Sequence, residues 1–218
     1  MVLVKICGIT NYPDAQAAVE AGANSLGLNF YPRSPRFIAK ADAAKIRIRL
    51  PGNVESVGVF VNASAGDVAA LYRDVRFAAA QLHGDETPEV VKELSRLLKV
   101  VKAFRVGANF PLEKLAEYPE AAAFLLDAAQ AGQFGGTGHT TDWDLARKAA
   151  AAHRIILAGG LTIENVAAAI QFVRPHAVDV ASGVESKPGR KDHGKLREFI
   201  QEVRRAGSQL DAAAAQNA

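Results

Sequence analysis

Cys7 is the only cysteine among 218 residues, and it closes a short apolar run, Val2-Leu3-Val4-Lys5-Ile6-Cys7, that stops at Gly8. A thiol becomes a useful base or nucleophile only as thiolate, and an ammonium nearby favours that form. Lys5 stands two residues earlier, so in an extended strand the two side chains share a face. If that face points inward, Lys5 and Cys7 form a base with its own electrostatic support. On the other face Cys7 is simply a small buried hydrophobe.

A second candidate is Asp127, at the end of the apolar run Ala121-Ala122-Ala123-Phe124-Leu125-Leu126. An aspartate in that position often caps the next helix. Here the next helical pattern starts some fifteen residues on, beyond Gly135-Gly136-Thr137-Gly138, so capping explains it poorly. An apolar setting raises a carboxyl pKa toward the range of a general acid. Two glycine-containing strand ends suggest what these groups act on: Leu157-Ala158-Gly159-Gly160-Leu161 and Val180-Ala181-Ser182-Gly183. Glycines make tight turns, but they also let backbone N–H groups approach an anion at a helix start. Two such turns in adjacent units point to a phosphate on the substrate.

Arg36 lies in the loop 30–38, stiffened by Pro32 and Pro35. Loop arginines are usually solvated; on a stiff loop one can present its planar fork to a carboxylate. Gln81 and His83 share a face at the end of another apolar run and are expected to line the same pocket. His139, His153, His176 and His193 read as surface or packing residues. No histidine has the spacing of a shared metal site. Trp143 reads as an anchor near a helix start, in preference to a stacking platform.

What must hold these residues is an alternation. Apolar runs at 2–7, 25–30, 55–62, 77–82, 98–105, 122–127, 154–159 and 177–181 start about 21 to 32 residues apart, the length of a strand-plus-helix unit. Helical spacing falls between them at 11–21, 39–50, 65–74, 87–98, 111–118, 142–152, 162–173 and 192–206. Thr87-Pro88 and Thr162-Ile163-Glu164 carry start signals. Runs such as Ser56-Val57-Gly58-Val59-Phe60 are apolar on both faces, as parallel strands covered by helices require. Eight such units predict an α/β fold, a (β/α)8 TIM barrel, with its active site at the C-terminal strand ends. An open doubly wound sheet is the alternative, weakened by the missing Gly-x-Gly-x-x-Gly after the first strand. The expected organisation is one domain over 1–206, followed by a frayed tail at 207–218.

Composition narrows the setting. About half the residues are hydrophobic, enough for a sizeable core, and the net charge of +3 is too small and dispersed to suggest nucleic acid. A lone cysteine forms no internal disulfide, and neither a secretory leader nor a membrane-length apolar run is visible. The expected setting is cytoplasmic, with no membrane and no nucleic-acid partner.

Lys5-Ile6-Cys7-Gly8-Ile9-Thr10, the loop from Phe30 to Ile38, Gln81-Leu82-His83-Gly84, Leu126-Asp127 and Gly135-Gly136-Thr137-Gly138 with Asp142-Trp143 together resemble one family, the phosphoribosylanthranilate isomerases. Gly159-Gly160-Leu161 and Asp179-Val180-Ala181-Ser182-Gly183-Val184-Glu185, with Pro188-Gly189 and Lys191-Asp192, extend the resemblance to about residue 205. It departs at Thr141, where the family usually has an aromatic residue, a change that bears on the loop over the site and not on the acid or the base. The resemblance implies an isomerase of tryptophan biosynthesis. It would rearrange N-(5'-phosphoribosyl)anthranilate to 1-(2-carboxyphenylamino)-1-deoxyribulose 5-phosphate without cofactor or metal. On this chain it implies Asp127 as general acid, Cys7 as general base, Arg36 on the anthranilate carboxylate, and Gly159, Gly160, Ser182 and Gly183 on the phosphate. The partner would be a phosphorylated small molecule, and the assembly a monomer or homodimer. The related aminoaldose isomerase of histidine biosynthesis is the nearest alternative, disfavoured because that family has aspartate where Cys7 stands. A non-catalytic phosphate-binding barrel is another, disfavoured because acid and base are both present.

Overall fold

Strand formation follows the β-branched, apolar runs, and their pairing closes on itself. The computed structural model describes residues 1–107, 109–128 and 142–216. Its strands are β1 (Leu3–Cys7), β2 (Ser25–Asn29), β3 (Glu55–Phe60), β4 (Ala79–Leu82), β5 (Lys99–Val106), β6 (Ala123–Ala128), β7 (Ile155–Leu157) and β8 (Ala177–Val180). Each pairs in parallel with the next, and β8 returns to β1 with Val4 opposite Val178 and Lys5 opposite Asp179. This is the closed eight-stranded barrel expected from the alternation.

Around it lie α1 (Tyr12–Ala21), α2 (Lys40–Arg47), α3 (Ala65–Val75), α4 (Pro88–Ser95), α5 (Trp143–Ala150), α6 (Val166–Val173) and α7 (His193–Gln216). After β8 a short antiparallel hairpin, β9 (Glu185–Lys187) with β10 (Arg190–Lys191), precedes α7.

The period of two along each strand divides the molecule into two apolar regions. Outward residues such as Val4, Ile6, Leu26, Leu28, Phe60 and Leu82 join the helices in one large core. Inward apolar residues form a much smaller cluster of Val101, Ala103, Leu125 and Ala158. The barrel interior also holds buried polar groups, Lys5, Gln81, Asp127 and Asp179. A barrel that gives up interior packing for charged groups is arranged for chemistry at their level.

Three elements differ from the sequence-based expectation. Residues 111–118 form a 3-10 turn, Leu112–Glu117, and not an α-helix. That segment is too short for a stable helix on its own and is held by its last residue: the Tyr118 hydroxyl donates to the Glu86 carbonyl at 3.1 Å. α6 begins at Val166 rather than Thr162, because Asn165 commits its side chain to the preceding loop. Its Oδ1 accepts from the Thr162 N–H and its Nδ2 donates to the Gly160 carbonyl, both at 2.8 Å. α7 runs through most of 207–218, the stretch read as a tail. Ala206 and Gly207 are buried, Leu210 packs on the core, and the alanines that follow have the highest helix propensity. Among the described residues no helix is long and apolar enough to cross a membrane.

A buried ion pair braces the barrel between β4 and β5. Lys102 Nζ donates to Glu86 Oε2 at 3.0 Å and to the carbonyls of Leu82, Gly84 and Ala103, while Glu86 accepts from the Asn62 and Gly84 N–H groups. Both side chains are 2% exposed. Removing one partner leaves a buried charge uncompensated, which costs about 3–5 kcal/mol. Lys102→Met is therefore expected to lower stability by about 3 kcal/mol, the low end because Glu86 keeps its backbone donors, or roughly 6–12 °C in Tm. Thermal and urea unfolding check this, and a loss under 1 kcal/mol contradicts it.

Candidate active site

The C-terminal ends of the strands open into one pocket lined by Cys7, Asn29, Ser34, Arg36, Gln81, His83, Asp127, Gly159, Gly160, Asp179 and Ser182. The topology thus brings together eight of the nine residues expected at the site from sequence. The ninth, Gly183, lies beside the pocket and not in its wall; a Cβ there would overlap the Leu161 carbonyl oxygen, so its glycine lets the β8 loop close on the β7 loop. Gly135-Gly136-Thr137-Gly138, His139 and Thr141 fall outside the described residues.

β1 contributes Lys5 and Cys7 to the barrel interior, on one face as its period demands. Lys5 Nζ donates to Asp179 Oδ1 at 2.8 Å, joining β1 to β8 across the seam of the barrel. Gly27 on β2 makes room for the thiol: a Cβ there would stand 2.7 Å from Cys7 Sγ and 3.2 Å from Lys5 Nζ. Burial works against the Lys5 ammonium, yet Asp179 and Cys7 more than compensate and lift its pKa above the ordinary value.

The thiol itself behaves differently from expectation. Burial pushes the Cys7 pKa up; Lys5 pulls it down, Asp179 pushes it up, Lys191 pulls it down, and the net direction is upward. Burial outweighs the pull of Lys5, and the Asp179 carboxylate beside that ammonium adds to the upward push.

On the far wall, Gln81 and His83 from β4 and the loop after it meet Asp127 from β6. Gln81 Nε2 lies 3.0 Å from His83 Nδ1, and His83 Nε2 lies 3.4 Å from Asp127 Oδ2. Gln81 Oε1 is buried and accepts no hydrogen bond from the described residues. Gly159 and Gly160 adopt φ of +83° and +62°, a conformation that side chains rarely tolerate and that exposes the β7 loop backbone.

Sequence reasoning did not assign roles to Asp179, Glu185 or Lys191. Lys191 Nζ donates to the Cys7 carbonyl at 2.6 Å, the Ala181 carbonyl at 3.0 Å and Glu185 Oε1 at 3.0 Å. Arg36 is bound by the Glu185 carboxylate through Nε at 2.9 Å and Nη2 at 2.8 Å. The signal available was a charge inside an apolar strand for Asp179, with no comparable local signal for Glu185 or Lys191. Of the residues read as packing, Trp143 is partly buried against the core and His153 packs edge-on against Phe124, while His193 pairs with Asp14 at 2.9 Å.

A parallel barrel with a thiol and a carboxyl facing one pocket at its C-terminal mouth, beside two exposed glycine turns, defines a (β/α)8-barrel enzyme built for acid–base chemistry on a small molecule. A family model described as N-(5'-phosphoribosyl)anthranilate isomerase matches residues 4–202. The chain belongs to that family. The N-(5'-phosphoribosyl)anthranilate isomerase of Trichlorobacter lovleyi is 50% identical, over 94% of this chain and all of its own. That of Geobacter sulfurreducens is 48% identical over 94% and 99%. The crystal structure of phosphoribosyl anthranilate isomerase from Thermotoga maritima superposes with a TM-score of 0.88 at 42% identity, covering 94% of this chain and 99% of that one. A further structure, at 41% identity, TM-score 0.84 and coverage of 94% and 99%, holds reduced 1-(o-carboxyphenylamino)-1-deoxyribulose 5-phosphate.

Proposed function

We propose that the chain isomerises N-(5'-phosphoribosyl)anthranilate to 1-(2-carboxyphenylamino)-1-deoxyribulose 5-phosphate, a step of tryptophan biosynthesis carried out in the cytoplasm. The observation that carries this is the convergence of Cys7 and Asp127 on one pocket in a chain half identical to an enzyme of that name. The product-like ligand held by a relative of 41% identity supports the same substrate class.

The chemistry is an internal rearrangement, so substrate and product have the same composition and no electron acceptor enters. Asp127, as general acid, protonates the furanose ring oxygen; the C1–O bond breaks and the anilino nitrogen's lone pair forms the C1=N Schiff base. Cys7 thiolate, as general base, removes the proton from C2, and those electrons form C1=C2 as the C=N pair returns to nitrogen. The resulting enolamine takes a proton at C1 and loses the one on the C2 oxygen, giving the ketone. Gly159, Gly160 and Ser182 offer backbone and hydroxyl donors to the phosphate, with Gly183 allowing the turn, and Arg36 faces the aglycone carboxylate. Gln81 Oε1 is free to accept from a sugar hydroxyl.

The test is direct. Purified protein added to freshly generated N-(5'-phosphoribosyl)anthranilate is expected to abolish the substrate's fluorescence within minutes, with a chelator present throughout. Fluorescence decay no faster than in buffer alone rejects the assignment.

A further inference from the structure

Arg36 reaches the pocket already engaged. A guanidinium carries five N–H groups in a fixed plane, and Glu185 takes two of them, one on Nε and one on Nη2. Three remain, on Nη1 and Nη2, enough to grip one further carboxylate. Glu185 is itself fixed: it accepts from Lys191 Nζ at 3.0 Å and from the Gly189 N–H at 3.3 Å, and its side chain is 4% exposed. Lys191 in turn holds the Cys7 carbonyl. One continuous chain of charge-assisted hydrogen bonds therefore runs from the arginine to the backbone of the thiol.

The surrounding backbone is shaped to this frame. Gly8 (φ +78°) has no room for a Cβ, which would stand 2.5 Å from Arg36 Cδ, so the arginine stem lies directly over the residue after Cys7. Gly189 (φ +76°) brings the β9–β10 hairpin against the Pro35 carbonyl, where a Cβ would stand 2.9 Å away, and its own carbonyl accepts from Thr10 Oγ1 at 2.6 Å. The hairpin thus locks the β2 loop to the β1 loop. Charge points the same way. Glu185 alone would cancel Arg36, but Lys191 adds a second cation, so the buried trio keeps one positive charge beside the pocket.

We infer that Glu185 is a positioning residue: held by Lys191 in the β9–β10 hairpin, it fixes the Arg36 fork at a set distance from Cys7, and this fork selects substrates whose aglycone carries a carboxylate. The inference rests on the function proposed above and assigns the origin of its selectivity to a residue that touches no substrate. Without Glu185 the Arg36 side chain regains rotamer freedom, and ordering it again on binding weakens affinity.

The experiment compares wild type, Glu185→Gln and Glu185→Asp on N-(5'-phosphoribosyl)anthranilate and on the N-phenyl analogue lacking the carboxylate. A charged hydrogen-bonded contact is worth about 10- to 100-fold in affinity, so wild type is expected to favour the carboxylated substrate by about that factor in kcat/KM. Glu185→Gln is expected to raise KM for the carboxylated substrate about tenfold or more, to move its kcat by less than about threefold, and to leave the analogue unchanged. Glu185→Asp keeps the charge and withdraws it by one methylene, so it should lose less selectivity than Glu185→Gln while retaining the fold. Equal losses on both substrates assign Glu185 a general structural role and overturn the inference, as does unchanged selectivity in both variants. Affinities for the two reduced product analogues, with and without the carboxylate, need no turnover. A wild type that is inactive but binds the carboxylated analogue selectively, through Glu185, rejects the proposed reaction and keeps the inference.

Discussion

Cys7→Ala is expected to lower kcat on N-(5'-phosphoribosyl)anthranilate by about 10²–10⁴-fold, the usual contribution of a positioned general base. Its Tm should stay within a few degrees of wild type, because the thiol lines the pocket and belongs to neither apolar core. The charges around it sharpen the test. Burial holds the thiol's pKa above its ordinary value despite Lys5 and Lys191. The base works as thiolate, so raising a base's pKa shrinks the active fraction at neutral pH and lets it grow as pH rises. For wild type, the limb of the kcat/KM profile that belongs to the thiol should therefore lie on the alkaline side of the ordinary thiol range. The residual activity of Cys7→Ala should lack this limb. A variant within tenfold of wild type, or one that keeps the same alkaline limb, removes Cys7 from the role of base.

How far the sequence carried this reading depended on the range of each interaction. The barrel was legible because its signals are local: short runs apolar on both faces, helical spacing between them, and glycines at strand ends. The shared face of Lys5 and Cys7 followed from strand geometry alone, and so did that of Gln81 and His83. Partners were not legible. Arg36 and Glu185 are 149 positions apart, and Lys5 and Asp179 are 174 apart; only barrel closure brings them together. The thiol shows it: Lys5 reads as support for thiolate, but burial inside the closed barrel outweighs it and Asp179 adds to the opposing push. Lys102 sits inside an apolar strand, Val100-Val101-Lys102-Ala103-Phe104, and no local pattern says that Glu86 and three carbonyls converge on it. Ends were misjudged where side chains overrode propensity, as Asn165 does by serving the β7 loop instead of capping α6 at Thr162.

Asp127→Asn is expected to cost a comparable 10²–10⁴-fold in kcat, and by a different route. The amide is isosteric and keeps an oxygen near His83 Nε2, now 3.4 Å from the carboxylate, so the pocket wall is retained. What it lacks is an acidic proton for the ring oxygen, without which the departing alkoxide leaves uncompensated. Asp127 and Cys7 act in successive steps, ring opening and then C2 deprotonation, so isotopic substitution at C2 separates them. Under single-turnover conditions wild type acting on C2-deuterated substrate should show a primary isotope effect to the extent that proton abstraction limits the rate. In Asp127→Asn, slowed ring opening becomes limiting, and the effect should collapse toward unity. The alkaline limb, which belongs to the thiol, should flatten with it, because a step that no longer limits the rate no longer reports its base. An Asp127→Asn variant within tenfold of wild type, or one slow but retaining the full isotope effect, would place the acid elsewhere in the pocket, with His83 the nearest titratable neighbour to examine.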